Sequence, residues 1–293
     1  MKFTRFLLGI CCAAAALISC SKADSPKVEE THPMSFTIST DDVHTKTTIA
    51  YDGTSYSHTW KSGDAFSILY YVDETEYYND KFILTSGAGT KTGTFSCATS
   101  HIPTSGVAYV RLIYPYTEAT YYNSWVRSLA NQGNGSLANL GDFDLIFARA
   151  EFNNGLFSMW LDAPCNQVAF FKLPAGLQIV GNSSGSHSVD IVLSGKDPTK
   201  VRNEFRNHMY LNQAAVPEGD INLTGVSITD GKLVQDTYIS FAGNFASVSS
   251  YDFVITVKEG ANSVSYTLNR TSNMYEGIVY KLKQEHFTPV QDF

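Results

Sequence analysis

An antiparallel, all-β sandwich architecture is what this sequence predicts, and three observations carry the prediction. Apolar residues recur at every second position through most of the chain beyond residue 33, the spacing that buries one face of a strand. These runs are rich in aromatic and β-branched residues, which suit a pleated surface. Turn-forming pairs separate them, and helical periodicity is weak.

In chain order, Phe66, Ile68, Tyr70 and Val72 share one face of the first clear run. Val189, Ile191 and Leu193 repeat the pattern. Tyr251, Phe253, Ile255 and Val257 alternate with Asp252, Thr256 and Lys258. Val264, Tyr266 and Leu268 follow, and then Ile278, Tyr280 and Leu282 against Lys281 and Lys283. Asp52-Gly53, Gly87-Ala88-Gly89 and Asp230-Gly231 have the composition of hairpin turns. Two short helices are expected, over Ser124–Asn131 and around Val201, Phe205 and Met209. A boundary near Asn153-Asn154-Gly155 divides the chain into an N-terminal sandwich over 34–154 and a C-terminal sandwich over 155–293, each of ordinary domain size. Residues 117–143, with Gly133, Gly135 and Gly141, read as a long connection inside the first.

The N-terminus has the three parts of an export signal. Lys2 and Arg5 are basic, and Phe6 to Ile18 is apolar but too short to span a bilayer. Leu17-Ile18-Ser19-Cys20 then resembles the lipobox of bacterial lipoproteins, where the cysteine sulfur is diacylated and the freed amine acylated after cleavage. This implies a signal peptide over 1–19, lipidation at Cys20 and a polar tether over 20–33 containing Pro26 and Pro33. Several acyl chains anchor stably, at about 0.8 kcal/mol per buried methylene. Ser21 after the cysteine is consistent with sorting to the outer membrane. Loss of Lys2 and Arg5 moves the formal net charge from −7 to −9, a balance that argues against a nucleic-acid partner.

Beyond Cys20 the chain keeps two cysteines, Cys97 and Cys165. Export permits a bridge between them, and burial as two separate thiols is the other reading. Neither has a second ligand at metal-binding spacing. Gly181-Asn182-Ser183-Ser184-Gly185 fits G-x-S-x-G, but a nucleophile elbow must open a helix, and the residues after it alternate as a strand. The seven histidines form neither H-x-H nor H-E-x-x-H. Asp41-Asp42 and Asp142-Phe143-Asp144 lack a calcium-loop series, and no phosphate loop is present. The expectation is a non-enzyme with no metal and no cofactor. Tyr70-Tyr71, Tyr77-Tyr78, Tyr114, Tyr116, Tyr121-Tyr122 and Trp125 crowd the first half. They raise a second reading, a glycan-binding surface protein, since exposed rings stack on sugars.

An edge-type strand, Met34-Ser35-Phe36-Thr37-Ile38, follows the lipobox. Then come Thr45-Lys46-Thr47-Thr48, Trp60-Lys61-Ser62-Gly63-Asp64 with Phe66 and Ile68, Phe82 with Gly93-Thr94-Phe95, Tyr114-Pro115-Tyr116, Asp144-Leu145-Ile146-Phe147-Ala148 and Tyr275–Leu282. Together these features resemble the fimbrillin-like lipoproteins of Bacteroidetes. Thr45–Thr48 is similar to that family's T-[RK]-T stretch, Trp60–Ile68 resembles its W-x-x-G-D-x-[IF]-x-[IV] signature, and the rest resemble its later elements. Leu161-Asp162-Ala163-Pro164-Cys165 departs from the family, which often has a histidine before its mid-chain strand.

The resemblance implies two tandem transthyretin-like β-sandwiches in a fimbrial subunit or a lipid-held anchor of the outer membrane. Its partners would be other subunits, joined by donated strands, and a host or bacterial surface ligand. In polymerising members a protease removes the first strand and a neighbour's strand refills the groove. Between Cys20 and Arg111 there is no arginine, so the cleavage expected here is at Lys46.

Overall fold

The alternation is realised as pleated strands. In the strand Thr92–Ser100, Gly93, Phe95 and Cys97 are buried while Thr94 and Ser96 turn outward. The computed structural model describes residues 30–40, 48–51, 56–72, 77–118, 126–143, 146–160, 168–181, 183–195, 201, 203–206, 219–242, 253–268, 274 and 278–287. Within them the chain is all-β, with one short helix, α1 (Leu137–Leu140).

The first half runs β1 (His32–Ser39), β2 (Thr48–Tyr51), β3 (Tyr56–Thr59), β4 (Ala65–Tyr71), β5 (Tyr77–Ser86), β6 (Thr92–Ser100), β7 (Val107–Tyr114), β8 (Val126–Ser128), β9 (Ile146–Asn153) and β10 (Leu156–Trp160). Seven of these form one sheet in the order β1-β6-β5-β4-β7-β9-β10. Its pairings are antiparallel throughout. The inner face carries Met34, Phe36, Ile38, Trp60, Phe66, Ile68, Phe82, Phe95, Val110, Leu112 and Phe152 in one core. The sheet curls, so that its two edge strands approach each other: Phe36 of β1 stacks on Phe157 of β10 with ring centres 4.5 Å apart.

The second half runs β11 (Ala169–Leu173), β12 (Ser186–Gly195), β13 (Glu204–Arg206), β14 (Ile221–Thr229), β15 (Lys232–Leu233), β16 (Thr237–Phe241), β17 (Phe253–Glu259), β18 (Asn262–Leu268) and β19 (Val279–Lys281). A five-stranded sheet, β15-β14-β12-β17-β18, packs on a three-stranded one, β16-β11-β19, around a second core. Phe171, Ile239 and Phe241 from the small sheet meet Val189, Ile191, Phe253 and Ile255 from the large one. The β11–β19 pair is parallel, the exception among the described strand pairs.

The turn expectations are met where they are described. Gly87-Ala88-Gly89 joins β5 to β6, and Gly87 must be glycine because a Cβ there would lie 2.1 Å from the Thr92 carbonyl oxygen. Asp230 and Gly231 join β14 to β15 with φ of 49° and 72°, the mirror-image turn that suits strand twist. Asp52-Gly53 lies outside the described residues, between the paired β2 and β3. Asn154 and Gly155, with φ of 49° and 78°, form the tight turn between β9 and β10, and the first sheet continues to Trp160.

Two expectations are corrected. Val126–Ser128 and Glu204–Arg206, read from sequence as parts of helices, are strands that pair antiparallel with each other across the halves. Each is too short for its own periodicity to decide, and a distant partner supplies the hydrogen bonds. Nor is β4 a half-buried strand: Ala65 to Leu69 are buried on both faces. Leu69 and Ile113 turn away from the first core into a third cluster with Leu129, Leu140, Val168, Phe170 and Tyr238. The covering chain comes from the expected long connection. Its Gln132 is buried, donating through Nε2 to the Ser240 carbonyl at 2.6 Å and accepting from the Ser240 N–H at 2.8 Å. Gly135 takes φ of 67°, and a Cβ there would meet Thr237 and the Tyr238 carbonyl within 2.8 Å.

Candidate functional site: the edge strand and its aromatic seat

The pattern of β1 is a plug and a rail. Met34, Phe36 and Ile38 are buried, while Ser35 and Thr37 face outward. Phe36, 4 % exposed, sits in a cup of five phenylalanines. The ring-centre distances are 4.5 Å to Phe157, 5.3 Å to Phe82, 5.6 Å to Phe95, 5.9 Å to Phe66 and 6.4 Å to Phe152. Edge-to-face and offset contacts of this kind add to the area buried. As an edge strand, β1 is laddered to β6 alone among the described strands.

The tryptophan signature assembles beside this strand. Trp60, fully buried, donates from Nε1 to the Ile38 carbonyl of β1 at 3.3 Å. Its ring lies over Gly93, the residue paired with Ile38, where a Cβ would come within 2.7 Å of the indole. The backbone of Trp60 is held by the β5–β6 turn, its N–H donating to the Thr90 carbonyl and its carbonyl accepting from the Gly89 N–H. Gly63 makes the next turn possible with φ of 91°. Asp64, buried at its end, accepts the Lys61 N–H at 2.7 Å and the Tyr114 hydroxyl at 2.9 Å. Tyr114 packs edge-on to Trp60 at 6.0 Å. The Tyr114–Pro115 peptide is cis, and the Tyr116 N–H returns to the Ala65 carbonyl. Tyr116 carries the Lys81 ammonium 4.5 Å above its ring. Burial, and then Glu118, push its hydroxyl above the usual tyrosine range. Trp60, Gly63, Asp64, Tyr114, Pro115 and Tyr116 thus form one brace, and its indole donates to β1.

Other expected positions fall elsewhere. Cys20, Lys46 and Cys165 lie outside the described residues. Cys97 is a buried thiol on β6, raised above its usual pKa mainly by that burial. Of the G-x-S-x-G segment, Gly181 and Ser183 to Gly185 are described and lie outside any strand or helix, ahead of β12. There Ser183 Oγ lies 2.7 Å from His187 Nε2 and donates to Glu259 Oε1 at 2.8 Å. Glu259 meets that same histidine nitrogen. A serine relay needs the acid on Nδ1 and the serine on Nε2; with both on Nε2, the trio ties the loop to β17. No group of three or more potential metal ligands occurs among the described residues. No helix among them is long and apolar enough to cross a membrane.

The aromatic pairs divide between faces, as a strand requires. Tyr70 packs against the first core and Tyr71 against the third cluster. Tyr78 stacks on His101 at 4.0 Å, and Asp80 accepts from His101 and Ser100 beneath. Tyr121, Tyr122 and Trp125 lie outside the described residues. Tyr70 and Tyr71 border an open groove of about 400 Å³ that Tyr109, Arg111 and Arg149 complete. Sequence reading missed the last three. They are the polar alternates of β7 and β9, and only strand order places them side by side.

No protein-family model matches the chain, and no curated protein matches it. Solved structures do show a distant likeness. A candidate cell adhesion protein from Bacteroides fragilis is 12% identical with a TM-score of 0.39, over 80% of this chain and 84% of that one. A fimbrial assembly protein from Parabacteroides distasonis is 10% identical with a TM-score of 0.37, over 86% and 90%. A candidate cell adhesion protein from Bacteroides eggerthii is 12% identical with a TM-score of 0.33, over 86% and 85%. Likeness at this level carries no functional argument.

Proposed function

We propose that this chain is a structural subunit or lipid-held anchor of a surface fibre, joined to its neighbours by exchange of an edge strand. The observation that carries this reading is the seating of β1: a strand laddered on one side, whose Phe36 fills an aromatic cup between the two edges of its sheet. Met34, Phe36 and Ile38 together bury enough apolar surface to contribute about 6 kcal/mol, at roughly 2 kcal/mol per side chain. A domain that lost β1 would expose that groove and an unpaired β6 edge, and would be stabilised by any strand of matching alternation. Lys46 falls between β1 and β2, so a cut there frees the whole of β1. In this reading Cys20 anchors the uncut protein at the outer membrane, and the cut converts it to a link in a polymer.

N-terminal sequencing of surface-assembled material tests this. A start just after Lys46 is the expected result for a stalk subunit. Lipidated Cys20 throughout the assembled fibre excludes the stalk role and leaves the anchor. Monomeric protein with β1 retained, in cells that build fibres of other subunits only, would sink both.

A second reading is favoured by one observation, the open groove lined by Tyr70, Tyr71 and Tyr109. Its size suits one or two sugar residues, and rings at its border suit their apolar faces. Of these rings, Tyr71 and Tyr109 alternate to the sheet face opposite the β1 seat, so stacking of a saccharide on them and strand exchange are compatible.

A further inference from the structure

We infer that the second sandwich has an acceptor edge of its own, and that its occupant is a segment of the first half, residues 129–135; this holds whether or not the chain builds a fibre. Two open edges meet on one side of that sandwich. β16 is the edge strand of the small sheet. β14 is laddered to β15 only at Ile228 and Thr229, so on that side Ile221 to Thr224 have no strand beside them among the described residues. Backbone groups left in this way must find other partners. Residues 129–135 supply them. The N–H groups of Asn222 and Thr224 donate to the carbonyls of Ala130 and Gly133 at 2.8 and 2.7 Å, and the Gln132 N–H returns to the Asn222 carbonyl at 3.0 Å. Asn131 and Asn222 form a parallel bridge. On β16, the Tyr238 N–H donates to the Gly135 carbonyl at 2.7 Å. The Gln132 side chain does the rest. Its amide donates to the Ser240 carbonyl and accepts from the Ser240 N–H, the pair that the peptide groups of a neighbouring strand would make. One segment therefore bonds to both sheets and bridges their edges.

The side chains that fit this edge are few. Leu129 is fully buried with Phe170 and Tyr238 in the third cluster. Gly135 is buried between the sheets, where a Cβ would lie 2.8 Å from Leu223 of β14 and 2.7 Å from Thr237 of β16. Gln132 is 2% exposed, and a buried amide is costly unless its groups are bonded, as here. Asn131, between them, is exposed. β8, immediately before, pairs with β13 of the second half, which sets the segment's entry. The turn at Asn153 to Gly155 thus divides the sequence, while the second sandwich is completed by residues from the other side of it. Its halves do not part as independent domains do, and a foreign strand reaches this edge only by displacing residues 129–135.

The test is amide hydrogen exchange of the full-length chain, resolved to single residues. In Gly135→Ala and in Gln132→Glu at neutral pH, the amides of Asn222, Thr224, Tyr238 and Ser240 should exchange about tenfold or more faster than in the native chain, while those of β5 and β6 keep their protection. The glutamate turns only acceptors toward the Ser240 carbonyl. Burial raises a carboxyl pKa, so by about pH 4 it is protonated and donates there again. Protection in Gln132→Glu should then return toward that of the native chain at the same pH. Asn131→Ala is the control and should change none of the four amides. If Gly135→Ala does not fold, Gln132→Asn, neutral and one methylene short, takes its place with the same readout. Unchanged protection of the four amides in both variants overturns the inference. A loss confined to Ser240 also overturns it, since that marks one hydrogen bond and not an occupied edge. So does a loss that spreads equally through β5 and β6, or a glutamate variant that does not recover in acid.

Discussion

Replacing Phe36 by alanine is the sharpest test of how β1 is held. Phe36 is almost fully buried, and five rings stand within 6.4 Å of its centre. Four of these belong to β4, β5, β6 and β9, strands paired on both sides, so they cannot collapse into the space left behind. The expected loss is therefore in the middle of the range for a buried phenylalanine, about 4 kcal/mol. That is about three powers of ten in the equilibrium between seated and released β1. Urea unfolding followed by tryptophan fluorescence reads it directly, since Trp60 is buried against the same core. Ser35→Ala, one residue away on the outward face, is the control and should shift stability by less than about 0.5 kcal/mol. Limited proteolysis of the Phe36→Ala protein should cut after Lys46 faster than in the native chain, because the strand it releases is no longer seated. A loss under about 1 kcal/mol, or one no larger than that of Ser35→Ala, would refute the picture of β1 as a plug.

Three further outcomes follow from the same contacts. Gly93→Ala places a methyl within 2.7 Å of both the Trp60 indole and Leu84, and should cost about 1–3 kcal/mol by overpacking, read from the urea midpoint. At Asp236, burial works to raise the carboxyl, but Lys172 at 2.6 Å, the Ala175 N–H and Lys281 outweigh it and hold the pKa below its usual value. Its stabilisation is therefore present above the unfolded carboxylate pKa and disappears as pH falls through the lower folded value. Asp236→Asn, which leaves the buried Lys172 ammonium without its charge partner, should cost about 3 kcal/mol near neutrality, with the gap to the native protein closing below about pH 4. At Tyr266, which donates to the Ile179 carbonyl, burial pushes the pKa up to about 12. The unfolded chain loses that proton from about pH 10, so stability falls as pH rises between the two values. Tyr266→Phe should remove that part of the alkaline slope in a stability-against-pH series.

What the sequence determined by itself was the content of each strand and the place of most turns. Period-two alternation is a local property, and it put Val189, Ile191 and Leu193 on one face, while turn composition marked Asp230-Gly231 and Gly87-Ala88-Gly89 as turns before any partner was known. The brace of Trp60, Asp64 and Tyr114 was legible as a list of residues, though not as a constellation. Only the tertiary structure decided which strands meet. It turned two weak helix-like stretches into the paired β8 and β13, covered the outer face of β4, and set Arg111 opposite Arg149. The physical reason is that register between distant segments is settled by packing across many residues at once. The entropy of closing the loop between them grows only slowly with its length, so nothing in either segment alone identifies its partner.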